Sequence, residues 1–248
     1  MTRIRFENVT KTYPCVRGQN WLRNIFRAGD GARRRKKVLE DVSFTMREGD
    51  SYALVGRNGA GKSTLLGVIA GLLPYDSGKI EVAGGVAPML DLGAGFHADL
   101  TGRENLMVNA ALLGLTRREA LDRMGEMIEF SELEEVIDQP LRTYSTGMVM
   151  RLSFSVATAV NRDILLIDEL LAVGDAAFQA KCIDRIHGMK SEGKIFVCVS
   201  HAESLGQLCE KAIWLENGIV RQIGRYEAVM TDYLGSLQCV GPLDPAIA

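Results

Sequence analysis

The sequence predicts an α/β protein in which strands and helices alternate around a glycine-rich loop, with a helical lobe set into the middle of the chain. Three observations lead there. The apolar run Ser51-Tyr52-Ala53-Leu54-Val55 enters the loop Gly56-Arg57-Asn58-Gly59-Ala60-Gly61-Lys62-Ser63-Thr64, and a helical run from Ser63 to Ala70 leaves it. From Thr101 the apolar spacing changes from that of a strand to that of a helix. Beyond the lobe, short apolar strands again alternate with helical runs as far as Ile223.

In chain order, residues 1–13 alternate as a strand, with Ile4, Phe6 and Val9 apolar between Arg5, Glu7 and Lys11. Residues 14–37 break that pattern. Val42–Met46 and Ser51–Val55 are strands joined by the turn Glu48-Gly49-Asp50. After the loop helix, Gly71, Pro74 and Asp76-Ser77-Gly78 punctuate the chain before strands near Lys79–Val82 and Val86–Leu90. A helical lobe spans 101–160, with capping boxes at Thr101-Gly102-Arg103-Glu104 and Thr116-Arg117-Arg118-Glu119. Its apolar faces carry Leu106, Ala110 and Leu113, then Leu121, Met124 and Ile128. Next come a strand at Ile164–Ile167, a helix around Phe178–Met189, a strand at Ile195–Val199 and a helix from Ala202. Ala212–Leu215 and Ile219–Ile223, joined at Asn217-Gly218, read as a hairpin. The chain is expected to loosen after Leu234, ending in a short tail at 241–248 behind one domain over 1–240.

A hydrophobic content of 47% and a charged content of 24% describe an ordinary folded protein, and a net charge of -2 makes no global case for nucleic-acid binding. The five cysteines lack metal-ligand spacing and read as buried or incidental thiols in a reducing compartment. No secretory signal opens the chain, and charges such as Asp168 and Glu169 interrupt the longest apolar runs. The expectation is a cytoplasmic chain that crosses no membrane by itself.

The loop is a complete G-x-x-x-x-G-K-S sequence in a strand–loop–helix setting. Glycines there let backbone N–H groups wrap a polyphosphate, and the helix start adds partial positive charge. Lys62 is placed to reach the β- and γ-phosphates, and the Ser63 hydroxyl to ligate Mg²⁺. The strand Ile164–Ile167 ends in Asp168 and Glu169. Beside a phosphate loop, Asp168 can hold the Mg²⁺ shell and Glu169 can polarise a water in line with the γ-phosphate; alone, the pair would read as a solvated turn. His201 follows the strand Ile195–Val199 and can donate to the γ-phosphate, although a lone histidine at a strand end is more often structural. Tyr144-Ser145-Thr146-Gly147-Met148 opens another helical run, as an anion site or as a plain helix cap.

This set resembles the nucleotide-binding subunit of an ABC transporter over nearly the whole chain. Tyr144–Met148 is similar to the family's signature sequence, Asp175 to its D-loop aspartate and His201 to its switch histidine, while Tyr13 stands where the family places an aromatic against adenine. The resemblance implies a P-loop NTPase core sheet with an antiparallel β subdomain and a helical signature subdomain. It implies ATP and Mg²⁺ as ligands, with Gly56 to Thr64 holding the phosphates. It also implies a head-to-tail dimer with a second copy of the chain, in which Ser145 and Gly147 of one copy close over the nucleotide of the other.

Thr146 and Met148 depart from the usual Leu-Ser-Gly-Gly-Gln, and the Q-loop position falls to Asp91 or Leu92. Both departures resemble one branch, the ATPases that export lipid-linked polysaccharides such as O-antigen, capsule or teichoic acid. Asp91-Leu92-Gly93-Ala94-Gly95-Phe96-His97, Leu100–Asn105 and Leu171–Phe178 look typical of it. The insert at 14–37 points the same way. Trp21, Leu22, Ile25 and Phe26 share one helical face ahead of the basic run Arg33–Lys37, a combination suited to a membrane interface or a permease loop. The expected partners are a second copy, a separate polytopic permease and a lipid-linked glycan, at the cytoplasmic face of the inner membrane. Because the chain ends at Ala248, glycan selection is expected in the permease or the insert rather than in an added domain. An exporter of a drug or a lipid is the nearest alternative. A soluble ATPase acting on nucleic acid or ribosomes is a further one, and no nucleic-acid partner is expected.

Overall fold

Alternating burial along β1 (Arg3–Pro14) sends Ile4, Phe6 and Val9 inward and Arg5 to solvent, as a half-buried strand requires. The computed structural model describes residues 2–14, 35–89, 95–168, 175–199 and 208–238. Within them β1 pairs antiparallel with β2 (Arg35–Arg47) on one side and β4 (Ser77–Ala83) on the other, making a three-stranded sheet of order β2-β1-β4. Phe6 and Phe44 stack across it with ring centroids 4.6 Å apart.

The larger sheet is built from β3 (Ser51–Val55), β5 (Val86–Met89), β6 (Ile164–Asp168), β7 (Ile195–Val199), β8 (Lys211–Glu216) and β9 (Ile219–Arg225), in the order β5-β6-β7-β3-β8-β9. All neighbours are parallel except β8 and β9. β3 and β7 are buried along their whole length, which is why they read as unbroken apolar runs rather than alternating ones. The β8–β9 hairpin turns at Asn217 and Gly218, both with positive φ (50° and 83°), as a two-residue primed turn demands.

The described α-helices are α1 (Lys62–Ile69), α2 (Gly102–Leu112), α3 (Arg117–Asp122), α4 (Met124–Ser131), α5 (Thr146–Ala159), α6 (Ala176–Ser191) and α7 (Tyr226–Gln238), with a short 3-10 turn at Leu141–Thr143. One apolar cluster fills the space between the two sheets, with Ile4, Phe6, Leu54, Leu65 and Ile213 at its centre. A second, with Phe154, Phe178 and Val229, covers the other face of the large sheet; a third, with Leu106, Met127 and Leu152, is the core of the helical lobe. Both expected capping boxes are present, Thr101 with Glu104 and Thr116 with Glu119. The thiols of Cys182, Cys198 and Cys209 are buried, and burial pushes Cys182 up to about 12. Cys182 is therefore a packing group at neutral pH.

Three expectations change. The interruption assigned to 14–37 is shorter, because Pro14 ends β1 and Arg35, Lys36 and Lys37 begin β2, paired with Pro14, Tyr13 and Thr12. β2 is an edge strand, and an edge carries exposed cations that a central strand would reject. The chain remains helical past Leu234 as far as Gln238. Leu121 is 54% exposed, and its neighbour Ala120 enters the lobe's core instead. The helix expected around Trp21, Arg33, Arg34, the Asp91–Ala94 stretch and the start of the helix expected from Ala202 lie outside the described residues.

Candidate functional site: a phosphate loop and a signature-type helix start

β3 delivers the chain to the phosphate loop, and the loop's form is imposed by backbone contacts. Gly56 has φ 149°, and a Cβ there would run into the carbonyl oxygen of Leu215 on β8. Gly61 has φ 108°, and a Cβ there would lie 2.6 Å from the Val38 carbonyl oxygen on β2. The hairpin turn is tied in as well, with Gly218 N–H donating to Ala60 O at 3.0 Å and Glu40 N–H to Gly218 O at 2.9 Å. Gly59, with φ 79°, has open space where its Cβ would stand.

The loop fits a polyphosphate. Gly61 occupies the N-cap of α1 without a side-chain cap, and the first turn carries no acid, so the helix start is a favourable place for an anion. Lys62 is largely buried and its Nζ donates to the Gly56 and Arg57 carbonyls at 2.7 and 3.2 Å, which folds the ammonium over the loop. Arg57, Asn58, Gly59 and Ser63 are exposed, while Thr64 is half-buried.

Register then aligns the neighbouring strand ends. Leu54 on β3 is level with Val199 on β7, and Val199 is level with Asp168 on β6. The three parallel strands therefore finish at one edge of the sheet, the position where α/β proteins bind ligands. Glu169 and His201 lie outside the described residues, as does the side chain of Asp168. Tyr13 is 37% exposed, carries Lys11 Nζ 5.1 Å from its ring centroid, and faces Lys36 on β2 two residues before Val38. The small sheet thus brings its exposed aromatic along the strand that packs on the loop.

Ser145, Gly147 and Asp175 meet elsewhere. They line a cavity of about 830 Å³ with Glu132–Val136, Met148 and Arg151, and no phosphate-loop residue takes part. Ser145 is the N-cap of α5: its Oγ accepts from Met148 N–H at 3.2 Å, and its own N–H donates to Met148 Sδ at 3.4 Å. Asp175 is the N-cap of α6, accepting from Phe178 N–H at 2.9 Å. That bond, aided by the Arg151 guanidinium, holds the Asp175 carboxyl below the usual carboxylate range. Sequence reading missed Arg151, whose partners Glu132 and Asp175 lie 19 and 24 residues away in the chain. Only its place on the helix behind Ser145 could have suggested it.

Residues 39–172 match the family described as ABC transporter. The chain belongs to that family. It is 49% identical over 237 residues to the O-antigen export system ATP-binding protein RfbB of Klebsiella pneumoniae, covering 93% of this chain and 96% of that protein. It is 38% identical to the teichoic acids export ATP-binding protein TagH of Levilactobacillus brevis, across 93% of this chain and 64% of the relative. These relatives fall in the branch that the departures at Thr146, Met148 and the 91–97 stretch resemble. Among solved structures, the ATP binding subunit of an ABC transporter superposes with a TM-score of 0.73 at 21% identity, covering 95% of this chain and 98% of the other. A dimeric ATP-binding cassette bound to ADP and Pi superposes with a TM-score of 0.71 at 21% identity, covering 90% of this chain and 98% of the other. Both show the cassette fold, a P-loop core sheet with an antiparallel β subdomain and a helical subdomain, as expected from the sequence.

Proposed function

We propose that this chain is the ATP-hydrolysing subunit of an exporter of lipid-linked polysaccharide, working as a head-to-tail dimer beneath a separate membrane permease. The observation that carries the ATPase reading is the phosphate loop, glycine-locked at Gly56 and Gly61, with Lys62 folded over it at the start of an uncapped helix. Similarity to an O-antigen export protein over nearly the whole chain supports the cargo class. Ser145 and Gly147 line a cavity in which no phosphate-loop residue takes part, which supports the dimer, since a second copy turned head-to-tail would bring the two together. No helix among the described residues is long and apolar enough to cross a membrane, which fits a partner that supplies the spanning segments.

In this reading Gly56 to Thr64 hold the phosphates, Lys62 neutralises charge on the β- and γ-phosphoryl oxygens, and Tyr13 stacks on the adenine. Ser63 and Asp168 would hold Mg²⁺, which when bound screens phosphate charge. Glu169 accepts the proton of the attacking water, His201 orients it, and Ser145, Gly147 and Asp175 complete the partner's site. The chain would sit at the cytoplasmic face of the inner membrane.

Two measurements test this. Glu169→Gln is expected to lower ATP turnover about a hundredfold or more with nucleotide binding intact; unchanged turnover would reject the assigned base. Gentle solubilisation of native membranes should co-purify a polytopic permease with bound glycolipid. A permease lacking glycan would overturn the cargo, and ribosomal or nucleic-acid partners would overturn export.

A further inference from the structure

Arg151 occupies a position that the ATP-site assignments leave without a role. It lies on α5, 19% exposed, on the helix that Ser145 caps. One guanidinium nitrogen, Nη1, donates to Glu132 Oε2 at 2.7 Å, and the other, Nη2, donates to Asp175 Oδ2 at 2.7 Å. The guanidinium plane also lies 4.7 Å from the centroid of Phe178, in the first turn of α6. One side chain therefore joins three elements: the end of α4, the signature-type helix and the N-cap of α6.

The Glu132 end of this clasp is strained. Glu132 has φ 56°, a left-handed conformation that is unusual for a residue other than Gly, Asn or Asp. Two cations hold its carboxylate, Arg151 and Lys181, the latter at 2.9 Å. Lys181 lies on α6 and also donates to Phe130 O at 3.0 Å, so the same carboxylate ties α6 to the helical lobe. A residue held out of its preferred conformation by several partners belongs to an over-determined site rather than to a loose helix end.

We propose that Arg151 is a positioning residue for ATP hydrolysis. It fixes the Asp175 carboxylate and the start of α6 relative to Ser145, so the helical lobe and α6 are held as one unit. The inference rests on the ATPase reading above. In a head-to-tail dimer Ser145 and Asp175 both serve the partner's nucleotide, so a clasp that fixes one against the other sets the geometry of that half of the site. The link is charge-assisted at both ends, which makes it directional.

The test is steady-state ATP hydrolysis by the full chain, wild type against Arg151→Met, Arg151→Lys and Glu132→Asn, with melting temperatures recorded for each. Asn accepts the left-handed backbone of residue 132 and removes the charge, with a side chain one methylene shorter. Arg151→Met is expected to lower kcat about tenfold, with KM for ATP changed by less than twofold, because the phosphate loop is untouched. Arg151→Lys should recover part of kcat, and Glu132→Asn should lose a few-fold with its melting temperature preserved. Unchanged kcat in Arg151→Met with a lowered melting temperature would reduce Arg151 to a structural ion pair and overturn the proposal. A parallel fall in kcat and rise in KM would do the same. A wild-type chain that hydrolyses no ATP would instead overturn the ATPase reading beneath it.

Discussion

At the phosphate loop the shape comes from backbone touching backbone; at the start of α5 it comes from side chains. Gly56 and Gly61 are wedged against the carbonyls of Leu215 and Val38, and the turn at Gly218 is stitched to Ala60. Ser145, by contrast, caps its helix with a hydroxyl, Met148 returns a thioether, and Arg151 braces the turn with ion pairs. Both regions offer a helix N-terminus to an anion. They differ in what sequence change they can absorb. A backbone-built site has no substitute for a missing hydrogen at Cα, whereas a side-chain-built site can exchange one cap or acceptor for another. Thr146 and Met148, which depart from the commoner Gly and Gln, stand in the second kind of site.

The sharpest way to break this contrast is at the glycines. Gly56→Ala places a methyl group against the Leu215 carbonyl at φ 149°, and is expected to cost about 3 kcal/mol and to abolish nucleotide binding. Gly59→Ala has φ 79° but open space, so only the backbone term remains, about 1 kcal/mol. Urea denaturation with a fluorescent nucleotide titration reads both quantities. Equal costs at the two positions would mean that close packing does not set the loop.

Next in size is Ser145→Ala, which removes the N-cap of α5 while keeping the rest of the lobe. A loss of about 1 kcal/mol is expected from the freed Met148 N–H. Dimer-dependent ATP turnover should fall further than that stability change explains, since the hydroxyl also faces the partner's nucleotide in the proposed assembly. If turnover and stability fall in proportion, the hydroxyl is a cap and nothing more.

These two sites were also unequally legible before the fold was known. The strand–loop–helix around Gly56–Thr64 could be read from the sequence, because its pattern lies in consecutive residues. Ser145 could be read as a helix start, but Arg151 could not be assigned, because its partners Glu132 and Asp175 come from other elements. Arg35–Lys37 read as part of an insert because three exposed cations in succession mask the alternation of an edge strand. Leu121 read as core because a short helix such as α3 gives too few turns to fix which face is inward, and Ala120 took that place. Non-local ion pairs, edge positions and short helices are where spacing carries the least information.

A smaller effect follows from acid titration of the clasp. The Glu132 carboxyl is held below its ordinary range by Lys181 first and Arg151 second, and Asp175 by the Phe178 N–H and Arg151. A carboxylate depressed in the folded state adds stability above its unfolded pKa and loses it as pH falls through the folded value. The wild type should therefore lose stability below about pH 4, and Arg151→Met should lose less over the same interval. Thermal melts from pH 6 to pH 3 compare them, and parallel curves would show that the ion pairs contribute nothing measurable to folding, as many exposed pairs do.

The smallest expected change is the most discriminating for a side-chain-built site. Met148→Gln restores the residue commoner in the family. It replaces a weak thioether acceptor, 3.4 Å from Ser145 N–H, with an amide oxygen. That gain of a few tenths of a kcal/mol opposes the loss of a half-buried apolar side chain packed on the lobe's core. The two terms nearly cancel, so stability should shift by no more than about 0.5 kcal/mol, with ATP turnover within twofold of wild type. A loss above about 1 kcal/mol would mean that Met148 is held by packing rather than by its place in the cap. The tolerance attributed to the side-chain-built half would then belong to Thr146 alone.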